Sequence, residues 1–227
     1  MRTIIFGHGF CGSRLTSIID NVTSTEIPEN CDTNLVPFDF NDSGTWKNLP
    51  DFDKAVITFK MENLCQSEKF ADLLNNKKVV ILSSARNLKN SVPNQEIDEE
   101  FPLADNNRVK CESYFETHAV ILYLGLIWGD NRQPQKWLQE GRIKNGNKII
   151  NMIHVDDICH IVKLLLNSEI KSGKYLVSDG KPLEWNELAK LYKVKLDQAD
   201  TGIESRKFNT KKLQTFLPES YLFKKPL

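Results

Sequence analysis

Strand-like runs that alternate with helical stretches, and that are apolar on both faces, predict an α/β chain built around a doubly wound parallel sheet. A glycine-rich turn between the first strand and the first helix points the same way. Beyond Gly129 the texture changes to short, irregular elements, so a small C-terminal lobe completes the expected fold. The expected division places the sheet domain over residues 1–126 and the lobe over 127–227, with some elements shared between them.

Arg2 to Phe6 (RTIIF) is β-branched and aromatic and runs into glycine, the mark of a short buried strand. Across Phe10 to Asp20, Cys11, Leu15, Ile18 and Ile19 fall on one helical stripe. Asn21 to Thr25 reads as a second strand and Glu26 to Asn34 as a loop. Asn34 to Phe40 reads as an edge strand, because Pro37 cannot donate to a ladder. Asp53 to Phe59 and Lys77 to Ser84 are the clearest strands, with a helix around Ser67 to Leu74 between them. A polar loop from Arg86 to Asn107 leads to a helix near Arg108 to His118, and then to AVILYLGLI, expected as one strand. Asp156 to Asn167 is a helix with Ile158, Ile161, Val162, Leu165 and Leu166 on one face and two acids at the positive end of its dipole. GKYLVSDGKP gives a strand and turn, and Trp185, Leu188, Ala189 and Tyr192 mark a further helix.

The 227 residues carry 30 Lys+Arg against 30 Asp+Glu and are 40% hydrophobic, a composition that excludes a disordered chain. Zero net charge and a pI near 6.9 supply no basic field for nucleic acid or an anionic membrane, so neither is an expected partner. The longest apolar run, Ala119 to Trp128, is about half of what a helix needs to cross ~30 Å of hydrocarbon. The first residues lack the long apolar core and cleavage site of a signal peptide, and the mature chain is expected to start here, in the cytoplasm. Cys11, Cys31, Cys65, Cys111 and Cys159 are scattered and odd in number, which fits a reducing compartment and argues against disulfides or structural zinc. The expected partner is a small molecule, bound by a monomer or homodimer.

Gly7, Gly9 and Gly12 stand as GHGFCG, the GxGxxG spacing, between a strand and a helix. Gly7 allows the tight turn, Gly9 lets the backbone approach a pyrophosphate without a Cβ in the way, and Gly12 lets the helix pack close to the strand. His8, Phe10 and Cys11 complete the loop. A glycine loop in this place also serves S-adenosylmethionine-dependent methyltransferases, and that alternative stands beside the dinucleotide one. A dinucleotide site needs an acid roughly 20 residues into the motif for the adenosine ribose. Glu26 lies there and suits NAD; Ser24 and Thr25, with help from Arg14, would instead accept the 2′-phosphate of NADP. His154, Asp156, Asp157 and His160 read as a helix cap and surface residues rather than a metal site, and no GxSxG elbow supports a hydrolase.

A set of segments stands in order along the chain: GHGFCGSRL (7–15), VVILSSA (79–85), DEEFPL (98–103), LGLIWG (124–129), NMIHVDDI (151–158) and YLVSDGKPLEW (175–185). Through them the sequence resembles the atypical extended short-chain dehydrogenase/reductases, of the NAD-dependent epimerase/dehydratase kind. The resemblance implies an NAD(P)-binding Rossmann domain whose C-terminal lobe closes a substrate cleft over the nicotinamide. It also implies a small hydroxyl or keto substrate, or a nucleotide sugar, and a cofactor lined by Phe59 and by Ser83 to Ala85, which include Ser84. Active members of the family carry Tyr-x-x-x-Lys in the helix before the sixth strand, where the tyrosine exchanges a proton with the substrate oxygen. Here that helix reads NNRVKCESYFETH, with His118 four residues after Tyr114 and Asn106 four before Lys110. The one Tyr-x-x-x-Lys, Tyr221 to Lys225, lies far outside it and reads as chance spacing. No catalytic residue is therefore assigned, and a catalytically silent NAD(P)-binding sensor or scaffold is the competing expectation.

Overall fold

The computed structural model describes residues 1–196 and 205–226. In chain order its elements are β1 (Thr3–Phe6), α1 (Phe10–Thr16), β2 (Val22–Glu26), β3 (Val36–Pro37), β4 (Lys54–Ile57), α2 (Leu64–Leu74), β5 (Lys78–Ser84), β6 (Gln95–Ile97), α3 (Asn107–Ser113) and β7 (Ala119–Leu124). There follow β8 (Leu126–Trp128), α4 (Pro134–Gln139), β9 (Ile149–Ile150), β10 (Met152–His154), α5 (Val155–Leu166), β11 (Gly173–Val177), β12 (Leu183–Glu184), α6 (Trp185–Leu191), β13 (Arg206–Phe208) and α7 (Lys211–Phe216). Among the described residues, no helix is long and apolar enough to cross a membrane.

Seven strands form one sheet in the order β11-β7-β5-β4-β1-β2-β3, flanked by helices as a doubly wound α/β fold requires. β1 pairs in parallel with both β2 and β4, so the strand order reverses between β1 and β4. All residues of β1 and β7 are buried, as strands covered on both faces must be. Pro37 stands in β3, the outermost strand, where its missing N–H breaks no central ladder.

Compact packing divides the chain into two units, each made of separate stretches. The first comprises residues 1–87, 103–123 and 159–174; the second comprises 88–102, 124–158 and 175–227. α5 therefore starts in one unit and ends in the other, and Ile158, Ile161, Val162, Leu165 and Leu166 are all buried along it.

The core of the first unit is rich in aromatic rings. Phe6 meets Phe38 and Phe70, each with ring centroids 4.9 Å away, and Phe40, Trp46, Phe52, Phe59 and Phe115 extend the cluster. In the second unit Trp128, Leu138, Ile150, Met152, Trp185, Leu188 and Ala189 pack together.

The helix expected over Phe10 to Asp20 ends at Thr16 and the edge strand expected over Asn34 to Phe40 is Val36–Pro37 alone; three further differences have a visible cause. The run after Ala119 is two strands, because at Gly125 the chain changes partners: Gly125 N–H donates to the Val177 carbonyl at 2.9 Å and Leu126 N–H to that of Asn151 at 2.7 Å. A Cβ at position 125 would overlap the Asn151 carbonyl oxygen. The polar loop after Arg86 contains β6, paired in parallel with β13 more than a hundred residues on. α3 stops at Ser113, whose hydroxyl turns back to the Lys110 carbonyl at 2.7 Å, a local bond that competes with the helix.

Candidate functional site

The glycine loop leaves the end of β1 at the place where the strand order reverses. In register, Phe6 lies beside Thr25 of β2 and Ile57 of β4, so the residues after these strands close around Gly7. Gly7 N–H donates to Thr25 Oγ1 at 3.2 Å. On the other side Thr58 Oγ1 donates to the Phe6 and Gly7 carbonyls, each at 3.0 Å. Thr58 escaped the sequence reading, which gave no reason to look for a hydroxyl one residue past a strand.

Each glycine has its own physical reason. Gly7 has φ +97°, a left-handed conformation, and a Cβ there would stand 2.8 Å from Thr58 Oγ1. A Cβ on Gly12 would overlap the Gly7 carbonyl oxygen, so its absence lets α1 pack onto the turn. At Gly9 a Cβ would meet nothing within 4 Å. Open space, not packing, is what this position preserves.

Among the described residues, the backbone N–H groups of His8 and Gly9 have no acceptor, and His8 Nδ1 is buried without a hydrogen-bond partner. Buried polar atoms in native folds nearly always find partners, so such a group marks a place for a further one. A dinucleotide pyrophosphate fits these features: two free N–H donors, an unpartnered imidazole nitrogen and room over Gly9.

The other sequence candidates divide. Phe10 and Cys11 open α1 and are half-buried. Ser24 and Thr25 face inward: both are buried, Ser24 Oγ bonds to Thr16 Oγ1, and Thr25 holds the loop. As placed, their hydroxyls brace the turn instead of presenting to a 2′-phosphate. Glu26 ends β2, and its Oε1 accepts from Ile27 N–H at 2.9 Å. Phe59 lies one residue beyond Thr58 against Phe40, with ring centroids 5.3 Å apart.

At the end of β5 the two serines part company. Ser84 is half-buried, and its Oγ accepts from Arg86 N–H at 3.2 Å. Ser83 is buried and donates to the Glu112 carboxylate, with Oγ 2.8 and 2.9 Å from the two oxygens. Asn87 Nδ2 adds bonds to Ser83 Oγ at 3.0 Å and to both carboxylate oxygens at 3.3 Å. Arg108 Nε donates to Glu112 Oε1 at 2.9 Å, and its Nη2 reaches the Leu82 carbonyl at 3.0 Å. The result is a closed network of hydroxyl, amide, guanidinium and carboxylate. Glu112 was missed by the sequence reading, although an Arg and a Glu four apart on a helix is a readable signal.

Among the described residues, neither Tyr114 nor Tyr221 stands in a helical Tyr-x-x-x-Lys arrangement. Tyr114, at the C-terminus of α3, is 40% exposed, and Lys110 is paired with Asp105 at 2.7 Å. Tyr221 lies in a segment without regular structure, so the spacing to the exposed Lys225 has no helical meaning. Its hydroxyl instead donates to Asp157 Oδ1 at 2.6 Å. Asp157 is therefore not the surface residue expected at the start of α5: it is buried, as is His154 before it. His154 Nδ1 accepts from Asp156 N–H at 3.1 Å, and burial pushes the imidazole below its usual range. Among the described residues, no three His, Cys, Asp or Glu side chains are grouped so as to hold a metal ion.

No family model matches the sequence, and no curated protein matches it. Solved structures do match. MoeE5, solved with UDP-glucose and NAD, superposes with a TM-score of 0.75 at 13% identity, over 99% of this chain and 94% of that one. The dTDP-glucose 4,6-dehydratase of Bacillus anthracis, solved with NAD, gives 0.75 at 14%, over 98% and 92%. The UDP-N-acetylglucosamine 4-epimerase of Methanobrevibacter ruminantium, with UDP-N-acetylmuramic acid, gives 0.74 at 18%, over 98% and 93%. These are proteins of the kind that the sequence resembles, and at such identities the likeness establishes the fold: a Rossmann-type α/β sheet shared with nucleotide-sugar dehydratases and epimerases.

Proposed function

We propose that this chain binds NAD or NADP at its glycine loop and acts on, or senses, a small hydroxyl or keto compound such as a nucleotide sugar. The observation that carries the reading is the loop: Gly7 in a left-handed turn, Gly12 against the Gly7 carbonyl, open space at Gly9 and a buried His8 nitrogen without a partner. Gly7, His8, Gly9, Phe10, Cys11 and Gly12 would form the pyrophosphate loop, with the N–H groups of His8 and Gly9 as donors while Gly7 N–H stays on Thr25 Oγ1. Glu26 would take the adenosine ribose, and Phe59 and Ser84 would line the nicotinamide side. Bound there, the nicotinamide supplies a hydride donor or acceptor. The NAD and UDP-sugars named for MoeE5 support the cofactor class and the sugar.

A second reading, a catalytically silent NAD(P)-binding sensor, has its own support. Where α3 faces the end of β5, the acid and base groups are committed to one another through Ser83, Asn87, Arg108 and Glu112. Such a set holds its protons in place and offers none to a substrate oxygen. Ser84 is the hydroxyl nearby that remains outside it.

Calorimetry with NAD(H), NADP(H) and S-adenosylmethionine tests the cofactor. Gly9→Val should abolish nicotinamide nucleotide binding while leaving the circular dichroism spectrum and unfolding midpoint close to the parent's, because the new side chain enters space that only a ligand would use. Binding of S-adenosylmethionine with no nicotinamide nucleotide affinity would replace this reading with the methyltransferase one.

A further inference from the structure

We propose that residues 221–226 form a strap that the second unit holds through Asp157 and can release. The segment has no regular secondary structure; Leu222, Lys224 and Lys225 are exposed along it, and Pro226 at its end is buried. Tyr221 and Phe223 are half-buried and meet edge to face, with centroids 5.0 Å apart. Neither strand pairing nor a helix holds such a piece of chain in place.

Three bonds instead converge on the first turn of α5. Tyr221 Oη donates to one oxygen of Asp157 at 2.6 Å, and Lys224 N–H donates to the other at 3.0 Å. The Lys224 ammonium pairs with Asp156 and not with Asp157. Asp157 is thus a buried carboxylate, 3% exposed, that spends both oxygens on one short segment of chain. It sits where the helix dipole favours a negative charge.

Geometry makes the attachment reversible. With the strap in place, Asp157 is out of water and satisfied by a phenol and an amide. With the strap away, the two bonds are lost but the carboxylate regains hydration, so much of the difference cancels. Burial holds the Asp157 carboxyl above the usual carboxylate range in spite of both bonds, as expected when desolvation outweighs them. Local opening of this kind belongs to segments that lie outside helices and strands.

Hydrogen exchange with mass spectrometry on the full chain tests the proposal. Tyr221→Phe removes one of the two bonds to Asp157 and keeps the ring. It should speed exchange of the Lys224 amide about tenfold, the equivalent of one charge-assisted hydrogen bond, with amides in α5 and β10 unchanged. Asp157→Ala, which removes both acceptor oxygens, should act on the same amide. Unchanged exchange at 221–226 in both variants would overturn the strap. So would acceleration spread evenly over α5, β10 and the segment, which would make the segment part of one cooperative core.

Discussion

Glu112 in the first unit and Asp157 in the second are both nearly sealed from water, yet they are satisfied differently. Glu112 meets a guanidinium one helical turn back on its own helix, a serine hydroxyl and an asparagine amide. Asp157 meets a phenol and a backbone amide from a stretch of chain more than sixty residues away, and the nearest ammonium goes to its neighbour Asp156. The first arrangement is charge-balanced, with its cation one turn away on the same helix. The second depends on a remote segment and leaves the carboxylate short of a cation. A buried acid with a cation beside it works as a fastener, whereas one held only by neutral donors keeps an affinity for protons and can respond to its surroundings.

Breaking the fastener should produce the largest effect. Arg108→Ala leaves the Glu112 carboxylate buried with only a hydroxyl and an amide, and should cost about 3–5 kcal/mol of stability, read as a lower urea midpoint. Replacing both partners together, Arg108→Met with Glu112→Leu, should recover most of that loss, because an apolar pair leaves no buried charge unpaired. A cost for Arg108→Ala under about 1 kcal/mol would place the pair among ordinary surface contacts and remove the contrast with Asp157.

The contrast was only partly legible in the sequence. β1, β4, β5 and α5 follow from composition and period, because residues adjacent in sequence decide them: β-branched runs into glycine, or apolar residues on one helical stripe. The glycine loop was legible for the same reason, since Gly7, Gly9 and Gly12 act within six residues of one another. What could not be read was set by distant chain. β6 is a polar Gln-Glu-Ile that becomes a strand only beside β13, and Asn151 helps to seat that strand with bonds of 2.8 Å to both the Arg206 carbonyl and Phe208 N–H. The inward turn of Ser24 and Thr25, and the meeting of Tyr221 with Asp157, likewise depend on which strand or segment arrives beside them. The Arg108–Glu112 pair is local, one turn apart on α3, but Ser83 and Asn87 come to it from the end of β5 and the turn after it, which no spacing within α3 reveals.

The second unit should show its character in the pH dependence of its stability. Burial pushes the Asp179 carboxyl above the usual carboxylate range, while backbone N–H bonds and Lys181 act weakly against it. The folded protein therefore takes up a proton at this site at a higher pH than the unfolded chain does. Stabilisation by that proton grows as pH falls through the raised value and is complete below the ordinary one. Asp179→Asn keeps the acceptor for Lys181 N–H and removes the charge. Its melting temperature should exceed the parent's near neutral pH, and the advantage should fade as pH falls. His154 in the same unit and His118 in the first, both pushed down by burial, act with the opposite sign: their contribution is present above the ordinary histidine range and is lost as pH falls below it. The informative quantity is therefore the variant's difference from the parent at each pH. A difference independent of pH would mean that Asp179 does not titrate as the buried acid described here.

The smallest effect should come from Tyr114, and its smallness bears on whether the first unit performs proton transfer. Tyr114 ends α3 with 40% of its surface exposed, and one turn on stands His118 where a lysine would be needed to support it. Lys110 is turned to Asp105, and the acid on the same helix is closed inside the Ser83, Asn87 and Arg108 network. Tyr114→Phe should then change stability by no more than about 0.5 kcal/mol, as for an exposed side chain, and should leave unchanged whatever turnover the parent shows with bound NAD(P)H and a panel of carbonyl and nucleotide-sugar substrates. Ser84→Ala, run beside it, asks the same of the hydroxyl left outside the network. Robust carbonyl reduction by the parent that disappears in Tyr114→Phe would restore a tyrosine-driven mechanism, and would show that the closed network around Glu112 braces a working acid instead of standing in its place.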